Sequence, residues 1–168
     1  LAPETYNGKA ELDSAQLARA GFGSWYLGSE GEIRFAGTQT VSVDNQLRLD
    51  AKRFSATPGS TVTLKAAAAE IGNFTLDAGA PAAATTGTAM ATVEAADIAL
   101  VGSFAWNGFA TSTFTSSGDI HLAGVQNNVD LPGSTRKYNG RMNATGALNL
   151  IAARVSPTAY SDYRIDLL

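Results

Sequence analysis

Cysteine is absent from this 168-residue chain. Disulfides, thiolate zinc sites and thiol nucleophiles are therefore all ruled out. Histidine occurs once, as His121, so an imidazole-based metal site lacks a second ligand of its own kind. Lysine occurs four times, charged residues make up only 16% of the chain, and the formal net charge is −3 with no basic block. That balance argues against a nucleic-acid partner. No run of 18 apolar residues occurs, so no helical membrane span is expected. A cysteine-free chain suits the cytosol. It also suits a protein that crosses a membrane unfolded, where a premature disulfide would be an obstacle. What is abundant is Ala, Gly, Thr and Ser, within an apolar content of 45% that is too high for disorder.

The length fits one domain, 1–168, with a real core. Strand signals dominate. The segments 33–35, 41–43, 47–49, 62–64, 120–122, 148–150 and 165–167 each alternate apolar with polar residues, the period of a half-buried strand. One short helix is expected from Ser14 to Ala20, capped by Asp13 and ended by Gly21.

Two internal repeats stand out. "GFGSWYLGSEGEIRFAG" (21–37) and "GFATSTFTSSGDIHLAG" (108–124) match at seven of seventeen positions without a gap. The expectation is that both occupy equivalent strand–turn settings, with Ile33, Phe35, Ile120 and Leu122 inward. A second pattern, apolar-x-Ala-x-x-small or apolar, begins at Leu49, Leu64, Val93 and Leu150. A step of three in a period-two chain flips side chains outward unless the backbone bends. Each copy thus reads as two short strands joined at a corner with alanine inside. Strands that turn corners and return with the same pattern make a coil. The spacings of 15, 29 and 57 residues make its rungs irregular. Two turn-rich stretches, 78–91 and 126–146, read as loops projecting from the body. The expected fold is an all-β right-handed parallel β-helix; the alternative is an antiparallel β-sandwich.

The order "GEIRFAG", "QLRLDAKRFSA", "TVTLKAAAAEIGN", then "AADIALVG" and "GALNLIAARVSPTAYSDYRIDLL" resembles filamentous-haemagglutinin-like exoproteins of Gram-negative bacteria, across most of the chain. The family's Asn-rich secretion signature is missing, which implies an interior or distal segment. The resemblance implies a surface-displayed shaft exported by two-partner secretion through an outer-membrane transporter. It implies attachment, with a host surface or glycan receptor and neighbouring rungs of the parent protein as partners. No shared catalytic or binding residues come with it.

The residues themselves add little chemistry. His121 alternates outward and reads as an exposed strand residue. Glu32 and Asp119 hold equivalent repeat positions and are the only carboxylate pair with a glycosidase-like logic; beside turn glycines, they read as turn acids. Asp162 and Asp166 show no partner acid and no calcium loop. Trp25, Tyr26, Trp106, Phe109, Tyr138, Tyr160 and Tyr163 could line a sugar-stacking surface, but core packing is the plainer reading. Alternation allows Trp25 or Tyr26 to be buried, not both. Arg136, Lys137 and Tyr138, with Asn139, form the best exposed patch and are the candidate binding residues. No catalytic residue, cofactor or metal is expected. The expected function is a non-enzymatic adhesin segment; the alternative is a β-helix protein that binds or cleaves polysaccharide. Because "YRIDLL" alternates without a polar cap, the last rung is expected to be covered by further chain or to self-associate.

Overall fold

The computed structural model describes residues 12–76, 79–127 and 137–168. Helix α1 spans Ser14–Arg19. Asp13 caps it, accepting from the Ala15 N–H at 2.8 Å, and Gly21 at φ +69° ends it. The strands follow in chain order: β1 (Ser24–Phe35), β2 (Thr38–Ser42), β3 (Gln46–Ala56), β4 (Thr61–Lys65), β5 (Ala68–Asn73), β6 (Ala89–Ala95) and β7 (Asp97–Asn107). Then come β8 (Phe109–Ser116), β9 (Asp119–Ala123), β10 (Val125–Asn127), β11 (Lys137–Ala144), β12 (Ala147–Ile151), β13 (Arg154–Pro157) and β14 (Ser161–Leu167).

The fold is all-β, with parallel sheets that are partly curled. A five-stranded sheet runs β12-β8-β6-β4-β2. A nine-stranded sheet takes the rest, and it bends. In β3, Gln46–Asp50 pair with β5 while Arg53–Ser55 pair with β7. In β7, Asp97–Gly102 pair with β5 while Ser103–Trp106 pair with β11. Gly102 sits at that bend with φ +62°, and a Cβ there would lie 2.0 Å from the Asn73 carbonyl oxygen. Among the described strands, only β10 and β11 pair antiparallel.

Parallel register stacks like on like. In the five-stranded sheet, Val41, Leu64, Val93, Phe114 and Leu150 form one inward column. In the larger sheet, Trp25, Leu47, Ala69, Ile98, Ile120 and Val155 form another. A third runs Ile33, Phe54, Trp106, Ala144 and Leu167. Both sheets feed one core cluster. At its centre Trp106 stacks on Phe109 at 4.7 Å and touches Phe54 and Phe114. The inward Ser112 accepts a hydrogen bond from Trp106 Nε1 at 2.8 Å, which is why a hydroxyl is tolerated there.

Three copies of the alanine pattern turn the expected corner. The copies at Leu64, Val93 and Leu150 each end a strand of the smaller sheet and open one of the larger. The copy at Leu49 differs: it lies inside β3, at that strand's bend. The corner into the smaller sheet is marked instead by glycines with positive φ, at Gly37, Gly59, Gly108 and Gly146.

Two expectations need correction. The 17-residue phrases are not equivalent, although all four named apolar residues are buried or packed against the core. Ile120 shares a column with Trp25, whereas Ile33 stands in the column of Trp106. Each phrase meets the local demand of a strand between two turns, and every wing of a parallel stack makes that demand. Nor do the two turn-rich stretches simply project. β6 begins at Ala89, inside the first, and β11 takes up 137–144 of the second, whose residues 128–136 lie outside those described. Residues 79–88 lie back on the larger sheet as a strap. Asn143 Nδ2 donates to the Pro81 and Ala82 carbonyls at 3.2 and 2.9 Å, and Thr145 Oγ1 to the Thr85 carbonyl at 3.0 Å. Asn107 Oδ1 accepts from the Thr85 N–H. The strap accounts for the burial of Asn107, Asn143 and Thr145 on an outward face.

Candidate functional site

Where the strap passes the bend of β3 it leaves a groove of about 660 Å³. Glu32, Lys52, Arg53, Asn73, Ser103 and residues 79–82 are among those that line it. The bend explains the charges. Alternation breaks between Ala51 and Phe54, both buried, so Lys52 and Arg53 both face solvent. Glu32 accepts a hydrogen bond from Ser55 Oγ. Asn73 donates from Nδ2 to the Ser103 carbonyl at 3.1 Å and accepts from the Thr75 N–H at 3.2 Å, fixing the floor. Chemically the groove offers two cations, one of them next to a carboxylate in register, and a row of amide and carbonyl groups. Sequence reasoning missed it; the signal was the adjacent Lys–Arg pair interrupting an otherwise strict alternation.

The residues singled out from sequence do not converge. Glu32 lies on β1 and Asp119 on β9, with β3, β5 and β7 between them in pairing order. Asp119 is paired with Arg154. His121 lies on the outward side of β9, its Nε2 3.6 Å from Asp97 Oδ1. Asp166 sits between Arg141 and Arg164. Burial tends to raise its carboxyl, but the two guanidinium partners outweigh that and hold it below the usual range. Asp162 is exposed. Among the described residues no group of three or more acidic or imidazole side chains could hold a metal ion.

The aromatics split between core and surface. Trp25, Trp106 and Phe109 are buried. Alternation at the start of β1 is resolved in favour of Trp25, leaving Tyr26 outside. Tyr26 is engaged there: its hydroxyl donates to Asp50 at 3.2 Å, and the Arg48 guanidinium lies between its ring and Phe74. Tyr163 half-buries its ring over Gly140, where a Cβ would come within 2.3 Å of it. Its hydroxyl is buried without a partner, and burial pushes the phenol above its ordinary range. Tyr138 and Tyr160 are exposed. Of the candidate binding patch, Arg136 lies outside the described residues. Lys137 and Tyr138 belong to a paired strand, not a loop: both lie opposite β10, and Tyr138 also pairs with Ser161 of β14.

No helix among the described residues is long and apolar enough to cross a membrane. No protein-family model, curated protein or solved structure matches this chain.

Proposed function

We propose that the chain is a stretch of right-handed parallel β-helix serving as a non-enzymatic shaft segment of a secreted, surface-displayed filamentous adhesin. The observation that carries the reading is the set of apolar columns, in register across five and six successive parallel strands. A parallel crossover within one sheet is right-handed in nearly all proteins, which supports the hand. Such a stack gains length by adding layers and keeps its cross-section, which suits a spacer better than a catalyst. The sequence likeness to filamentous-haemagglutinin-like exoproteins supports display outside the cell.

The absence of cysteine makes a direct test possible. Thr63 and Thr92 are register partners on adjacent parallel strands, as are Thr92 and Thr113. Cysteine pairs at either position should oxidise to intramolecular disulfides, since neighbouring strands hold such residues within bridging range. Failure of both pairs would overturn the coil. Incubation with common polysaccharides should show no turnover. Turnover lost in Glu32→Gln or Asp119→Asn would overturn the non-enzymatic role.

The groove beside the strap favours a second reading, a saccharide-binding β-helix. Neither Lys52 nor Arg53 is paired with an acid among the described residues, which suits a carboxylate-bearing sugar. Retention of uronate oligosaccharides that vanishes in a Lys52→Ala/Arg53→Ala variant would favour this reading over a plain shaft.

A further inference from the structure

Arg48, Lys65, Arg141, Arg154 and Arg164 each have a carboxylate oxygen within 4.0 Å. Lys52 and Arg53 do not: both are exposed, and no acid among the described residues comes that close to either. The two share the groove beside the strap. It opens on the outer flank of the larger sheet, not at an end of the stack, because the bend of β3 turns both side chains outward. Its volume, about 660 Å³, is one that small organic ligands fill.

The groups around the cations narrow the ligand. Glu32 is the register partner of Arg53. One of its oxygens accepts from Ser55 Oγ, and the other has no partner among the described residues. Thr75 and Ser103 also line the groove, and Asn73 engages only their backbone, the Thr75 N–H and the Ser103 carbonyl. Their hydroxyls have no hydrogen-bond partner among the described residues. A densely charged polyanion would set a second negative group against Glu32, and like charges at that range repel. A neutral ligand would gain nothing from Lys52 and Arg53. A lone carboxylate flanked by hydroxyls meets both demands, since hydroxyls donate to Glu32 and exchange hydrogen bonds with Thr75 and Ser103. We propose that the groove binds an acidic saccharide of low charge density, with one uronate carboxylate on Lys52 and Arg53 and neutral sugar hydroxyls on Glu32, Thr75 and Ser103. The inference rests on the saccharide-binding reading of the groove and adds which saccharides fit it.

Calorimetric titration with one sugar backbone in three charge states tests it: trigalacturonate, its fully methyl-esterified form, and the form with a single free carboxylate. The singly charged form should bind tightest, about fivefold above the fully esterified one, as exposed ion pairs allow. That margin should vanish in Lys52→Ala/Arg53→Ala. It should also shrink as salt rises from about 0.1 M to about 1 M, where the screening length falls from about 10 Å to about 3 Å. Glu32→Gln should reverse the order, lifting trigalacturonate above the singly charged form. All three positions are exposed, so the variants should keep the thermal transition of the parent. In the parent, amide shifts on titration should cluster around Glu32, Lys52, Arg53, Thr75 and Ser103. Trigalacturonate binding tightest in the parent, equal binding of all three forms, or an order that Glu32→Gln leaves unchanged overturns this inference and keeps the saccharide-binding reading. No binding of any form, or triglutamate binding more tightly than every sugar, overturns both.

Discussion

Two buried polar atoms show how single residues are treated inside this stack. Trp106 Nε1 has a partner in Ser112, whereas the Tyr163 hydroxyl has none. Ser112→Ala should therefore lower unfolding free energy by about 1–3 kcal/mol, because it strands a buried donor. Tyr163→Phe should do the opposite, raising stability by about 1 kcal/mol. Urea titrations of both variants check the pair. The phenol also makes a pH statement. Its proton is held more tightly in the folded chain, so stability is complete below the unfolded value near 10 and falls as pH rises past it. Tyr163→Phe should flatten that alkaline limb. Asp166 works in the other direction. Its carboxyl is held low, so its stabilisation is present above the ordinary value near 4 and is lost on acidification below it. Urea midpoints measured from pH 7 to pH 2 should show that loss in the parent chain and not in Asp166→Asn, which should start lower at pH 7.

At the scale of elements, the question is why the parallel, all-β character was legible and the spacing of the strands was not. The inward column of the smaller sheet steps from Val41 to Leu64, Val93, Phe114 and Leu150, intervals of 23, 29, 21 and 36 residues. No fixed period exists to be found, because excess chain is stored outside the sheets, as in the strap. The alanine pattern caught three of these rungs. It passed over Phe114 because that corner holds one more residue before Ile120 and carries Ser116 in place of alanine. Its first interval, 15 residues, joined two different settings. Asn107 and Gly108 look like a hairpin turn in sequence, yet the chain goes on to a parallel strand, since β8 has β6 beside it. The groove was hidden for a related reason: its strap wall comes from low-complexity sequence, whose seat is set by Asn107, Asn143 and Thr145. Replacing Asn107 and Asn143 together by alanine should release the strap. Limited proteolysis should then cut between 79 and 88 well before the sheets unfold, whereas the parent chain should resist there.

Taken as a whole, the molecule is graded along its stack. Among the described residues, middle layers are covered on both sides, the first by a helix, and the last on one side only. Local opening should follow that gradient. Amide exchange on dilute, monomeric chain should be fastest in β12–β14 and slowest in β4 and β6. A uniform rate across all layers would contradict it.

The short intervals between column members also bear on how such a chain could be delivered. In the smaller sheet, each strand after β2 finds its neighbour already placed no more than 36 residues upstream. A chain emerging end-first from a narrow opening can thus set down every new layer on a finished one, without waiting for distant sequence. Each layer that seals makes backsliding costlier, so if the chain is exported as proposed, folding outside the cell would act as a ratchet on the rest of it.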